Sequence, residues 1–360
     1  MNKVFKLLFL LTAAITLTNC GPDDDTSTQP LRDYQAQYNA DIEDIEHFLK
    51  TRTITVIDNP GAPDDQDVTY TVVQEMDPSC LWLDPRLSFK IVADPTGKPY
   101  YHNVAYKIYY LRLRDGGGAD GSRVSPTNAD LVLTSYTGSY LFKYIDPSVP
   151  NATAELRQSQ FESVPFPQSN LSLEGVIKGW SEIFPLFKAG DFTTIPGQPV
   201  TYTDFGAGIL FVPSGLGYFN ESLSAIPAYS PLVFSFKLYD VVRLDQDGDG
   251  IPSYLEDLDH DGFMRALPSD FENPDDTDKD LAPDYLDRDD DGDLVLTRTE
   301  TRRPVQDPTD EDEEYTYYPY DGEAIDNPDT PYDDTKGIPS CSGDFTTSGR
   351  IRKHIDASCQ

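Results

Sequence analysis

The hydrophobic pattern of this chain changes period twice. From Tyr34 to Lys50 the apolar positions Tyr38, Ile42, Ile45, Phe48 and Leu49 recur at steps of three and four, with acidic residues on the other face. That spacing predicts an amphipathic helix whose stripe packs on the domain that follows. The period then drops to two. Thr53 to Ile57 and Val68 to Val73 read as strands on either side of the turn Asn59-Pro60-Gly61. Ala105 to Leu113, closed by Gly116-Gly117-Gly118, Leu131 to Gly138 and Leu232 to Val242 continue the alternation, and Asp191 to Val212 holds shorter strands broken by Pro196-Gly197 and Gly206. One helix is expected among them, Leu173 to Lys188, which Pro185 should kink or end. The sum predicts an α+β fold: an antiparallel β half-barrel wrapped on one short helix, with an N-terminal helix before it and an irregular acidic tail after it.

At 360 residues the chain has room for two domains and a tail, and charge separates the parts. The formal charge is −34, and Asp245 to Asp334 carries 32 of the 62 acidic residues against six basic ones. The first two-thirds is therefore nearly ordinary in charge and the last third is an acidic appendage. Such a field argues against nucleic acid and anionic surfaces as partners and for cations.

Lys3 and Lys6 flank the start of an apolar run from Leu7 to Leu17, too short for a mature membrane span. The run ends in Leu17-Thr18-Asn19-Cys20, which resembles a bacterial lipoprotein cleavage box with Cys20 as the acylated residue; the other reading is a plain secretory signal. Gly21-Pro22-Asp23-Asp24-Asp25 resembles the surface-export tag of some Gram-negative lipoproteins, or is simply a soluble tether. In an oxidising compartment Cys341 and Cys359 could close a disulfide, leaving Cys80 as a buried thiol. His47, His102, His260 and His354 are scattered, which disfavours a transition-metal site.

Apolar and aromatic blocks recur in a definite order: Tyr136-Thr137-Gly138, Val176-Ile177-Lys178-Gly179-Trp180, Val212-Pro213-Ser214-Gly215-Leu216-Gly217-Tyr218, Ile226-Pro227 and Leu232-Val233-Phe234. They read as the wall of an aromatic pocket with no nucleophile or base among them. This order resembles the FKBP family of peptidyl-prolyl cis-trans isomerases, over about residues 107–244. The resemblance implies Tyr136 and Phe142 on one wall, Trp180 as floor, Val176 and Ile177 as rim, and Phe234 as the far wall. It also implies that the Ile177 N–H and the Tyr218 hydroxyl bond substrate carbonyls, with Ile226 on the loop over the proline. The family carries an acid directly after the wall aromatic, where Lys143 follows Phe142 here.

In the acidic part, Asp245, Asp247, Asp249 and Glu256 place oxygens at loop positions 1, 3, 5 and 12, with Gly250 at the sharp turn. That spacing wraps a hard cation. Asp276, Asp278, Asp280 and Asp287 make a second copy with Leu281 where glycine belongs, and Asp289, Asp291, Asp293 and Glu300 a third; Asp257 to Gly262 is partial. The pattern resembles thrombospondin type 3 repeats and implies structural Ca²⁺ of low affinity, against an acidic disordered tail as the alternative.

These readings give a signal over 1–19, a lipidated tether over 20–33, a helix and strand extension over 34–99, an FKBP-like domain over 100–244, calcium repeats over 245–300 and a flexible tail over 301–360. The expected activity is prolyl isomerisation of exported polypeptides, without a catalytic cofactor, at an outer membrane facing the periplasm or the surface. The rivals are a catalytically weak peptide-holding chaperone and a calcium-ordered surface module.

Overall fold

Strand alternation resolves into one curled antiparallel sheet in the computed structural model, which describes residues 31–304 and 316–359. Contacts divide the chain into Met1–Asp33 and Tyr34–Gln360. Of the first unit only residues 31–33 are described, and they form neither helix nor strand; the leader and Cys20 lie outside the described residues. No helix among the described residues is long and apolar enough to cross a membrane.

The second unit begins with α1 (Tyr34–Thr51) and the hairpin β1 (Arg52–Val56) and β2 (Val68–Val72). The main sheet follows, built from β3 (Leu87–Val92), β4 (Tyr106–Arg114), β5 (Leu131–Tyr144), β6 (Glu155–Val164), β7 (Leu171–Ser172), β10 (Gly206–Val212) and β11 (Leu232–Val242), in the order β3-β4-β10-β11-β5-β6 with β7 on β5. Between β7 and β10 come α2 (Lys178–Ile183) and a small hairpin of β8 (Asp191–Thr193) and β9 (Thr201–Thr203). This is the expected α+β half-barrel on a short helix.

The central strand β10 is buried at every residue. Alternation sends Ile209 and Phe211 to one face, where α1 packs Ile45, Phe48 and Leu49, and Leu210 and Val212 to the other, where α2 packs Trp180 and Ile183. At α1, Asp41 is buried and accepts hydrogen bonds from Gln37 Nε2 (2.6 Å), Ser214 N (2.7 Å) and Ser214 Oγ (2.6 Å). This pins the turn after β10 to the helix. Burial pushes the Asp41 carboxyl up to about 6, against the pull of those donors.

The structure departs from the pattern reading in three places. The helix expected over Leu173 to Lys188 is only α2, followed by a 3-10 turn at Phe184–Leu186 that contains Pro185. Strands β3 and β6 were not evident from alternation. Each edges the sheet, β3 with Phe89 and Ile91 exposed and β6 with a largely polar sequence, as edge strands are built. Within the stretch expected to be a flexible tail, the described part after residue 337 is packed: Ile338, Arg350, Arg352 and His354 are buried, Arg350 Nε donates to the Ile338 carbonyl (2.7 Å), and a disulfide joins Cys341 to Cys359.

His354 supplies a pH test of that packing. Burial, helped by the charges of Arg352 and Lys353, pushes its imidazole down to about 3. The unfolded chain, near the ordinary value of about 6.5, binds a proton that the folded chain refuses, so stability rises with pH across that window. Between pH 5 and pH 7.5 the wild-type Tm should climb by more than that of His354→Gln; equal climbs in the two melts would remove the role.

Candidate functional site

Gly179 in Val-Ile-Lys-Gly-Trp is where the site begins. A Cβ there would lie 2.5 Å from Val212, so glycine lets α2 rest directly on β10 and lays the next residue, Trp180, across the sheet. The indole stacks on Phe184 (centroids 4.8 Å) and meets Tyr136 (4.9 Å) and Phe234 (5.2 Å) edge-to-face. It is 3% exposed, and its N–H has no partner among the described residues. Above it, Tyr136, Val176, Ile177 and Tyr218 are partly exposed, while Ile226 and Phe234 are buried in the same cluster. Ile177 precedes α2 in extended backbone, and its N–H makes no hydrogen bond among the described residues. Seven of the eight expected pocket residues thus come together.

Phe142 does not. It lies six residues beyond Tyr136 on β5, about 20 Å along the strand, and its ring contact is Tyr140. Lys143 beside it pairs with Asp44 of α1 (2.8 Å). The ring that meets Phe234 from the neighbouring strand is instead Phe161 of β6 (5.8 Å). Its neighbour Glu162 accepts a hydrogen bond from the Tyr136 hydroxyl (2.9 Å). The aromatic-then-acid pair therefore exists, on the next strand. A bulge brings both residues in: β5 and β6 pair Gly138 with Glu162 and Ser139 with Gln160, leaving Phe161 as the extra residue. Gly138 makes the room, since a Cβ there would lie 2.5 Å from Phe161 and 2.8 Å from Phe234. Burial and the Glu162 carboxylate both push the Tyr136 phenol up; burial also raises that of Tyr218, which feels the same acid. Both hydroxyls therefore stay protonated donors at neutral pH.

Behind the indole, α2 carries a second polar knot. Glu182 is fully buried and takes a bidentate pair from Arg265 (2.6 and 2.9 Å) and a contact from Lys90 of β3 (3.0 Å). Burial alone would raise the Glu182 carboxyl, but the Arg265 and Lys90 charges outweigh it and hold it below the usual range. Arg265 comes from the acidic segment, so that segment packs on the helix bearing the floor residue.

The acidic segment repeats one loop geometry four times, opened by Asp245, Asp257, Asp276 and Asp289. The opening carboxylate accepts from the backbone five residues on (Gly250, Gly262, Leu281 and Leu294, at 3.1, 2.9, 3.1 and 3.0 Å). Positions 4 and 6 hold positive φ each time: Gly248 and Gly250, His260 and Gly262, Lys279 and Leu281, Gly292 and Leu294. Asp257 therefore opens a full loop of this kind, and Leu281 takes the left-handed conformation that glycine was expected to supply. The carboxylates gather as Asp247, Asp249, Glu256 and Asp290; Asp257, Asp259 and Asp275; Asp276, Asp278 and Asp280; and Asp289, Asp291 and Asp293. Asp290 and Asp275 cross from other loops, which position counting along one loop does not find. Asp245, Asp287 and Glu300 stand outside these groups: Asp245 and Asp287 bond backbone N–H groups, and Glu300 is buried nearby. Burial, reinforced by neighbouring carboxylates, pushes Glu256 up to about 11 and Asp290 to about 10.

Residues 246–332 match a family model described as BamM C-terminal, less than half of the chain, and not a thrombospondin repeat. No curated protein matches the sequence significantly. Among solved structures the chain is similar to a peptidyl-prolyl cis-trans isomerase from Pseudomonas syringae pv. tomato (21% identity, 44% of this chain and 84% of that one, TM-score 0.26). It is also similar to FkpA from Escherichia coli (24%, 37% and 47%, TM-score 0.25) and to the N-terminal domain of FKBP42 from Arabidopsis thaliana (12%, 43% and 92%, TM-score 0.27). The chain spans about half the length of FkpA. Superpositions at these scores decide nothing about activity, which rests on the side chains.

Two substitutions probe the local geometry. Gly138→Ala should cost about 1–3 kcal/mol by forcing a methyl into the Phe161 and Phe234 rings, seen as a lower urea midpoint at unchanged m. Leu294, 90% exposed and left-handed, has no packing to lose. Leu294→Gly should therefore gain up to about 1 kcal/mol, the left-handed strain less glycine's added entropy; a loss of stability would refute the strain.

Proposed function

We propose that the chain is a peptidyl-prolyl cis-trans isomerase acting on exported polypeptides. The observation that carries this is the convergence of Tyr136, Phe161, Tyr218 and Phe234 around Trp180, with the Ile177 N–H and two phenol hydroxyls at the rim. Rotation about an X–Pro bond crosses a barrier of roughly 18–20 kcal/mol because it breaks amide resonance, and uncatalysed exchange takes tens to hundreds of seconds. Water favours the planar, charge-separated amide over the twisted one. An apolar aromatic surface removes that preference, and a donor aimed at the turning carbonyl stabilises the twisted geometry. No base, nucleophile or cofactor enters. A proline ring resting on Tyr136 and Ile177 would leave its preceding carbonyl near the Ile177 N–H and the Tyr218 hydroxyl, while Glu162 holds the Tyr136 ring in place.

The apolar leader ending at Cys20 supports a lipid-anchored location at the outer membrane, facing the periplasm or the outside, with unfolded proline-containing chains as clients. A second reading, a module that holds such chains without accelerating them, is favoured by the 3% exposure of the indole.

The test follows isomerisation of a short Xaa-Pro-Phe peptide with the purified chain, alongside peptide affinity. Acceleration is expected. Tyr218→Phe, at a partly exposed position, should lower kcat/KM by about 3–10-fold, the worth of one hydrogen bond of about 0.5–1.5 kcal/mol, with an unchanged melt. Binding with no acceleration selects the holding module, and neither binding nor acceleration removes both readings.

A further inference from the structure

Close to the point where the acidic segment leaves β11, four carboxylates from two separate loops meet in the interior. Asp247 and Asp249 come from the loop opened by Asp245. Glu256 follows the 3-10 turn Ser253–Leu255, and Asp290 arrives from the loop opened by Asp289. One oxygen of each lies within 4.8 Å of the others. Asp249, Glu256 and Asp290 are 2%, 3% and 2% exposed. Both oxygens of Glu256, both of Asp290 and one each of Asp247 and Asp249 are buried with no hydrogen-bond partner among the described residues.

The neighbouring arginines do not answer this charge. Arg288 Nε donates to the Asp247 carbonyl (2.8 Å), and an Arg298 amino group points to the Asp249 carbonyl (3.4 Å), both on the backbone of the loop. An unpaired buried carboxylate costs several kcal/mol, and like charges this close repel further. Folded proteins do not leave so many buried oxygens in one spot without a ligand. All the donors are hard oxygens, with no nitrogen or sulfur, and Glu256 can offer two atoms. Six or more oxygens in an irregular cage suit calcium, whereas magnesium demands a smaller regular octahedron and keeps its waters.

We infer that Asp247, Asp249, Glu256 and Asp290 bind one cation of the calcium class, which clasps the first acidic loop to the fourth. The clasp is not the loop site that residue spacing implies. Asp245, the position 1 residue, spends its carboxylate on the Gly248 and Gly250 N–H groups, and Asp290 from the distant loop replaces it. The first loop is itself tied to the sheet body, through Gln246 Nε2 to the Ala129 carbonyl (3.0 Å). A cation here therefore fixes both ends of the excursion from Glu256 to Asp290, which contains Arg265.

The experiment uses the full chain stripped with EGTA, with calcium or magnesium chloride added during calorimetric titration and thermal unfolding. Calcium should raise the wild-type Tm, by mass action on the folded state, and magnesium should raise it less. The isosteric pair Glu256→Gln/Asp290→Asn should bind one cation fewer and lose roughly half or more of the calcium-dependent rise. Without calcium the pair should melt at or above wild type, because the amides spare the fold the cost of burying two acids, whether as a charge or as a bound proton. Asp280→Asn, in the loop opened by Asp276, should keep the clasp's share of the response. Equal cation counts in wild type and pair, equal responses to the two metals, or no uptake by wild type would each overturn the assignment. So would a pair that melts far below wild type in EGTA, which would make the four acids a structural cluster as they stand. None of these variants touches the aromatic site, so the outcome is separate from the isomerase reading.

Discussion

Everything in the second unit hangs on a strand that has no outer face. Because β10 is apolar on both sides, the sheet must be covered twice, by α1 on one side and α2 on the other. Each fully buried Ile, Leu, Phe or Val of that strand contributes about 1.5–3 kcal/mol relative to exposure, so neither cover is dispensable. This constraint positions the candidate site. The helix covering the second face is six residues long, and its glycine lowers it until Trp180 touches Phe234 and Tyr136. The opposite helix holds the turn toward Tyr218 through Asp41. Floor and rim are thus consequences of one packing problem.

How much of this was legible depends on whether the signal was local. The stripe Ile42, Ile45, Leu49 announces α1 because burial on one helix face has a period, and the alternation of β1, β2 and β4 announces strands for the same reason, whereas β10 shows only as an unbroken apolar run. Edge strands bury little, so β6 leaves no such trace. Its Phe161 and Glu162 could not be placed by alternation in any case, because alternation sends neighbours to opposite faces and only a bulge overrides that. Counting forward from Tyr136 along a single strand lands on Phe142, a residue on the right face and about 20 Å too far. A cue did exist: Phe-Glu is the next aromatic-acid pair after the Tyr-Thr-Gly block.

The acidic segment shows the same division. Spacing of one residue in two identifies the loops, since backbone N–H groups reach the carboxylate at position 1 only when positions 4 and 6 turn left-handed. Ligand sets drawn from two loops are invisible to spacing. Asp290 and Asp275 sit beside the residues that open their loops, and their partners are set by how the turns stack. Overall acidity hides this order, because composition alone describes a disordered tail equally well.

One consequence concerns how the molecule can be cut. The carboxylate of Glu182 sits two residues from the indole on the same helix, fully buried, and Arg265 lies beyond the sheet in sequence. A fragment ending at the last strand would strip away that guanidinium and leave the buried charge with Lys90 and the Tyr101 hydroxyl against it, beneath the aromatic cradle. The sheet and the acidic segment are therefore one folding unit, and the boundary suggested by charge runs through the middle of an ion pair.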